Sequence, residues 1–206
     1  MYKVALVVLV VLASMVAAHA DLSLSTAPSD WVTVPAAATS GDGKVNVLWA
    51  RVGSPFDNGD SEDYAVASVG IKDAEIIVGG NTEDLDLDEL TFGVKYQVCK
   101  EDTPLSIFLY NIREGGTAVP GFVFDPQIEA LPKLLTSVAG WYNDGWEAGF
   151  AAGWKLFPYT LAAVEYSTSN KLAYGLQAQS KSLNGRVMYL DEDQDWVVSV
   201  GGTIGF

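Results

Sequence analysis

Residues 145–157 read GWEAGFAAGWKLF. The even positions, from Trp146 to Leu156, are aromatic, aliphatic or alanine, whereas the odd positions from Gly145 to Lys155 are glycine, alanine, Glu147 and Lys155. A period of two is the side-chain period of a β-strand, so the two faces of this strand meet different environments. Trp146 and Trp154 lie about 26 Å apart along an extended strand. A tilt of about 40° reduces that span to roughly 20 Å of membrane normal, comparable to an apolar band with an aromatic residue at each boundary.

The same alternation recurs in four other segments: ELTFGVKYQV (89–98), LAAVEYS (161–167), KLAYGLQAQ (171–179) and WVVSVGGTIGF (196–206). In all of them, every charged residue lies on the polar row. The polar rows are also rich in glycine and alanine, as the crowded interior of a narrow barrel requires. A soluble β-sandwich alternates as well, so the pattern leaves that alternative open.

Strand-like segments separated by turn residues continue along the whole chain after residue 43. We predict strands at 44–52, 63–71, 74–80, 89–99, 104–112, 118–124, 133–142, 145–157, 159–168, 171–180, 184–190 and 195–206. The sixth contains Pro120, and the stretch 127–135 has a short helix as its alternative. The pattern predicts an all-β protein, a closed antiparallel up-and-down transmembrane β-barrel of about 12 strands, with 10 as the next choice.

The N-terminus predicts export. Residues 1–20 have Lys3, an apolar run and Ala18-His19-Ala20, which is the pattern of a signal peptide with its cleavage site; a retained anchor helix is the alternative. Residues 21–43 are rich in serine, alanine, threonine, proline and glycine and predict an irregular segment before one barrel domain at 44–206. The only cysteine, Cys99, excludes an internal disulfide.

Charge and composition exclude several functions. The full chain carries a formal charge of −14, so we expect no binding to nucleic acid. Its single histidine, His19, lies in the signal peptide, which excludes Ser-His-Asp hydrolysis and histidine-ligated zinc in the mature chain. Asp84, Asp86 and Asp88 have calcium-loop spacing, but Glu89 and Lys95 occupy the places of the required glycine and glutamate. We therefore expect no cofactor, no metal site and no enzymatic activity, although a pair of catalytic carboxylates remains formally possible.

The C-terminus resembles the assembly signature of bacterial outer-membrane β-barrels: a polar residue, a glycine, a hydrophobic residue and a terminal aromatic. Ser199, Gly201, Ile204 and Phe206 occupy those places. The resemblance covers eight residues. It implies an outer-membrane barrel of a Gram-negative, diderm bacterium that contacts outer-membrane lipid and uses the barrel-assembly machinery during biogenesis.

Such a barrel predicts either a passive porin-like channel or a structural membrane protein, with acidic external loops after strands one, three and eleven. The alternative is a soluble secreted or periplasmic acidic β-sandwich or barrel that binds a ligand or partner. Five charged residues on the polar rows are candidates to line the lumen: Lys95, Glu147, Lys155, Glu165 and Lys171. They can face an open pore or form internal salt bridges that plug the barrel.

Overall fold

The computed structural model of the protein describes residues 35–39, 41–53, 61–82, 90–100, 104–113, 116–169, 171–179 and 182–205. These described residues form twelve β-strands. In order these are β1 (Lys44–Gly53), β2 (Glu62–Ile71), β3 (Ala74–Asn81), β4 (Thr91–Cys99), β5 (Leu105–Ile112), β6 (Val119–Phe124), β7 (Leu134–Tyr142), β8 (Trp146–Phe157), β9 (Thr160–Ser167), β10 (Lys171–Gln179), β11 (Leu183–Leu190) and β12 (Asp195–Gly205).

The strands close into one antiparallel barrel. Each strand pairs with its neighbours in the chain, and β1 pairs with β12, from Lys44 opposite Gly205 to Gly53 opposite Trp196. Closure leaves no sheet edge, so the backbone polar groups of the strands are paired within the sheet. The prediction of a closed 12-strand barrel is confirmed; the 10-strand choice is wrong, and no two-sheet sandwich forms.

The predicted strand bounds agree with the structure to within two residues, with the largest difference at the start of β4, where Thr91 replaces residue 89. β6 is the shortest strand and does contain Pro120, which lies on its exposed face opposite Leu109. The helical alternative for 127–135 is wrong. There the chain makes turns that end at Leu134, where β7 begins.

The up-and-down order puts successive connections at alternate ends of the barrel. We call the end where β1 begins the proximal end; it carries the turns at 72–73 and 158–159. The end where β1 finishes is the distal end, and it carries the turn at 191–194. The connections after β1, β3 and β11 therefore share the distal end, because every odd-numbered strand runs in the same direction.

The outer surface of the barrel is apolar. On β8, Trp146 is 75% exposed, Phe150 45% and Trp154 43%, and these residues alternate with glycine and alanine on the inner face. The apolar row of β12 behaves likewise, with Val200 and Ile204 exposed and Ser199 buried. Exposed apolar area on this scale is unfavourable in water and favourable in hydrocarbon.

The interior combines small residues with a few large aromatic side chains. Phe108 and Tyr110 on β5 are buried and stacked, with ring centroids 4.4 Å apart. Glycine makes room for them, because a Cβ added at Gly121 would lie 2.3 Å from the Phe108 ring, and one at Gly93 would lie 2.9 Å from Tyr110. The glycine content of the inner rows therefore follows from packing. Within the described ranges, no helix has the length and hydropathy needed to span a membrane.

Candidate functional site

A buried ion pair lies inside the barrel near its proximal end. Glu75 is the second residue of β3 and stands directly opposite Lys95 of β4. The Lys95 Nζ atom is 3.4 Å from a Glu75 carboxylate oxygen, and both side chains are completely buried. Two opposite charges removed from water require each other and further polar partners, so this pair fixes the local arrangement of the wall.

A short piece of chain that precedes the barrel occupies the interior beside this pair. The ammonium group of Lys95 donates a hydrogen bond to the carbonyl oxygen of Ala36 (3.3 Å), and the Ser106 hydroxyl donates one to that of Ala37 (2.6 Å). The Ala37 amide in turn donates to a carboxylate oxygen of Asp125 (3.0 Å). Ala37 is completely buried, whereas the next residue, Ala38, is exposed. We call residues 35–39 the inner segment.

Asp125 is itself held in place. The Ser137 hydroxyl donates to its second carboxylate oxygen (2.6 Å), and its own amide donates to the Pro104 carbonyl (2.9 Å). Contacts to the inner segment therefore come from β4, from β5 and from the connection after β6. Three side chains on separate elements satisfy consecutive backbone groups of the inner segment, which is how a buried irregular chain avoids unpaired polar atoms.

The chain passes from the inner segment to β1 close against β2. The Gly43 amide donates to the Gly70 carbonyl (3.1 Å), and the Lys72 amide donates to the Asp42 carboxylate (2.8 Å). Gly70 leaves no room for a side chain, since a Cβ there would lie 1.8 Å from the carbonyl oxygen of Gly41. Glycine at position 70 is thus required by the close approach of two backbones.

Hydrogen-bonding side chains line another part of the wall, from β10 round to β2. Asn46 of β1 donates to Ser68 and accepts from Thr203, its two partners in register on β2 and β12. Further along the wall, Arg186 of β11 stands between Gln177 and Ser199 in register. We call this surface the polar wall: Ser68, Asn46, Thr203, Ser199, Asn184, Arg186 and Gln177.

Three atoms of the polar wall are buried without a hydrogen-bond partner in the described part of the chain. They are Gln177 Nε2, Asn184 Oδ1 and Ser199 Oγ. Gln177 and Ser199 are two strands apart, about 10 Å, and Asn184 lies opposite Gly201 on the neighbouring strand. The group offers an amide donor, an amide acceptor and a hydroxyl facing the same part of the interior.

The five charged residues proposed to line the lumen lie in different places. Lys95 and Glu165 are completely buried, on β4 and β9. Glu147, near the distal end of β8, accepts a hydrogen bond from the Trp141 indole (2.9 Å). Lys155 is exposed at the proximal end, and Lys171 is exposed and donates to the Thr168 carbonyl (2.6 Å). The five therefore do not form one cluster.

Sequence reasoning missed Glu75, Ser106, Asp125 and the polar wall. Only Glu75 could have been found from the sequence. It is an acid in an otherwise apolar strand, and its spacing of two from Ile77 puts both residues on the same face. Asp125 had no such signal, because it follows β6 in an irregular connection. Of the assembly signature, Ser199 and Gly201 are buried and Ile204 is exposed on β12, while Phe206 lies outside the described residues.

The two ends of the barrel differ in charge. At the distal end exposed acids outnumber exposed bases: Glu62, Asp144, Asp191, Glu192 and Asp193 against Arg51 and Lys171. At the proximal end exposed lysines outnumber exposed acids: Lys44, Lys72, Lys100, Lys133 and Lys155 against Asp42 and Glu129. The most acidic connections predicted from the sequence, 54–60 and 83–89, with Asp57, Asp84, Asp86 and Asp88, lie outside the described residues. Among the residues that are described, no three metal-ligating side chains come together.

Several solved structures of bacterial outer-membrane proteins have a similar fold. The KdgM porin aligns with a TM-score of 0.51 at 8% identity, covering 78% of this chain and 99% of that chain. An outer-membrane channel from Pseudomonas putida F1 (0.48, 9%, 82% and 97%) and Omp33 of Acinetobacter baumannii (0.46, 10%, 82% and 100%) also align. The fold is that of an outer-membrane porin. No family model matches the sequence, and no curated protein matches it significantly.

Proposed function

We propose that this protein is a passive, porin-like channel in the outer membrane of a Gram-negative bacterium. The polar wall carries the proposal. Four residues of the polar wall are only half-buried although they lie on the inner row: Gln177, Asn184, Arg186 and Thr203. Polar side chains that border a water-filled bore keep such partial exposure, whereas a packed core would bury them. In such a bore the exposed parts of these side chains bind water or the hydroxyl groups of a passing solute.

The outer-membrane location is supported by the apolar outer surface and by the fold shared with the KdgM porin. A strand barrel satisfies its backbone in hydrocarbon, which makes the exposed row on β8 stable there. The C-terminal resemblance adds outer-membrane lipid and the barrel-assembly machinery as partners. KdgM is a porin, and we propose the same kind of activity for this chain because the polar wall lines its interior.

We propose further that the channel prefers cations weakly. Acidic side chains at the distal end hold a negative potential at that mouth and raise the local cation concentration. The exposed turn at 191–194 contributes Asp191, Glu192 and Asp193. Salt screens exposed charges beyond about 8 Å at physiological ionic strength, so the preference falls as salt rises.

A structural barrel without conductance is the second candidate. The buried cluster that includes Phe108, Tyr110 and Trp141 favours it, because side chains of this size fill much of a narrow interior. The cluster predicts no ion flow through the isolated protein, whereas the polar wall predicts that ions pass.

The test is single-channel recording of refolded protein in a planar lipid bilayer with a potassium chloride gradient. We expect discrete conductance steps and a reversal potential that favours cations. A variant with Asp191→Asn, Glu192→Gln and Asp193→Asn should conduct with a smaller preference. Anion preference in the unaltered protein would refute the electrostatic part. Absence of conductance, both in that protein and in a variant without residues 21–39, would refute the channel.

A further inference from the structure

We propose that the inner segment is a built-in constriction: residues 35–39 occupy a binding site on the inner wall and narrow the bore at its proximal end. The narrowing of the bore rests on the proposed channel function, whereas the binding site for residues 35–39 does not depend on conductance. Its basis is a set of three hydrogen bonds: Lys95 and Ser106 donate to the carbonyl oxygens of Ala36 and Ala37, and Asp125 accepts from the Ala37 amide.

The contacts have the character of a site formed for an extended chain. Two of them satisfy both polar groups of one residue: Ser106 donates to the Ala37 carbonyl, and Asp125 accepts from the Ala37 amide. Each of these side chains comes from a different element, and Asp125 is oriented by Ser137. A segment that merely passed the barrel mouth would not need a donor, an acceptor and a second residue to position the acceptor.

The inner-segment side chains fit the same site. Ala36 and Ala37 belong to the buried apolar cluster of the barrel interior, and Ala37 has no exposed surface. Alanine contributes little bulk, so the segment can lie against the wall beside the Glu75–Lys95 pair without displacing it. Because Lys95 bonds both Glu75 and Ala36, the ion pair and the segment share one cation.

The close approach of Gly41 to Gly70 determines where the segment enters. The backbone turns inward there, with the Gly43 amide bonded to Gly70 and Gly41 at a φ of 80°. A larger residue at position 70 would push Gly41 away from β2. Position 70 therefore controls the segment without belonging to its binding site.

Cysteine labelling tests the site directly. In a Cys99→Ser background, Ala37→Cys and Ala38→Cys differ in burial but are neighbours in the chain. In refolded barrel, we expect a small thiol reagent to label position 37 at least about tenfold more slowly than position 38, the ratio for a site open less than a tenth of the time. Equal rates would overturn the proposal.

Two further variants test what holds the segment. Ser106→Ala with Asp125→Ala should bring the labelling rate of position 37 close to that of position 38, whereas Ser68→Ala, on an inner-wall serine bonded to Asn46, should leave the tenfold difference intact. Gly70→Ala should also accelerate labelling, and Gly205→Ala, where an added Cβ meets nothing within 4 Å, should not. Protection that survives both the double variant and Gly70→Ala would overturn the assigned contacts.

Conductance then tests the constriction. Removal of residues 21–39 should raise the single-channel conductance relative to the protein that retains them. Unchanged conductance with position 37 still protected would overturn the constriction. If neither protein conducts while position 37 is protected, the channel function fails and the internal binding site stands.

Discussion

At the scale of single residues, the buried Glu75–Lys95 pair is where we expect a substitution in the interior to destabilise the barrel most clearly. Both side chains are buried completely, and Lys95 also bonds the Ala36 carbonyl. Burying a charge is unfavourable unless a partner compensates it, so loss of one member is worse than loss of both. Substitution of one member should therefore destabilise the barrel strongly, whereas replacement of both by apolar residues should be tolerated.

We expect Lys95→Met to destabilise the barrel by about 3–5 kcal/mol, because it leaves the Glu75 carboxylate buried without its cation. The double variant Lys95→Met with Glu75→Met should recover most of that loss. Unfolding by urea in lipid vesicles measures both. A double variant no more stable than the single one would contradict the account.

The residue scale also shows where sequence reasoning stops. The period-two pattern put Lys95 and Glu165 on the polar row, and both are buried inside the barrel. It did not identify Glu75 as the partner of Lys95. That pairing depends on the register between β3 and β4, which packing of the whole wall determines and which neither strand reveals by its own sequence.

At the scale of strands, β8 carries the contrast between the two faces of the wall. Its outer row exposes Phe150 and its inner row buries Gly149 and Ala151. One residue of register shift would exchange the two rows, so the apolar exterior determines the register of the strand.

We expect Phe150→Arg to cost about 2–4 kcal/mol in lipid, the range for an arginine on the outer face at mid-membrane. Phe150→Leu keeps an apolar side chain there and serves as the matched control. Equilibrium unfolding in vesicles compares the two. Equal stability of the arginine and leucine variants would mean that this face does not meet hydrocarbon.

β12 combines two roles in the proposal, since it closes the barrel against β1 and carries the assembly signature. Deletion of Phe206 should lower the amount of barrel in the outer membrane and leave unfolded protein in the periplasm. Phe206→Tyr keeps the aromatic end and should behave as the unaltered protein does. Fractionation followed by immunoblotting measures the yield; an unchanged yield after deletion would contradict the assigned role of the signature.

Strand positions were predictable because alternation is a local property, visible within each segment. The inner segment was not, because residues 35–39 have no periodic pattern. Ala37 owes its position to Ser106 and Asp125, which follow it by 69 and 88 residues, and Ala36 bonds Lys95, which follows it by 59. Long-range hydrogen bonds to backbone atoms leave no trace in the sequence of the segment that receives them.

At the scale of the whole molecule, closure should give the barrel high kinetic resistance to unfolding. We expect unboiled protein to migrate differently from boiled protein on a detergent gel, because the closed barrel stays folded in the detergent. Val200→Pro should abolish that difference, since proline removes a ladder hydrogen bond from a strand paired on both sides, with β1 and β11. Identical migration of the unaltered protein before and after boiling would contradict a stable closed barrel.

Because β1 pairs with β12, the polypeptide could begin at another strand of the barrel. Lys44 stands opposite Gly205, so the first and last strands end side by side at the proximal end. The ring of strands has no intrinsic starting point, and a circular permutant that begins at Gly145 and joins the old termini through a linker keeps every pairing. In such a permutant Phe206 is internal. It would separate the contribution of that aromatic side chain to the seam from the contribution of a free aromatic end to recognition.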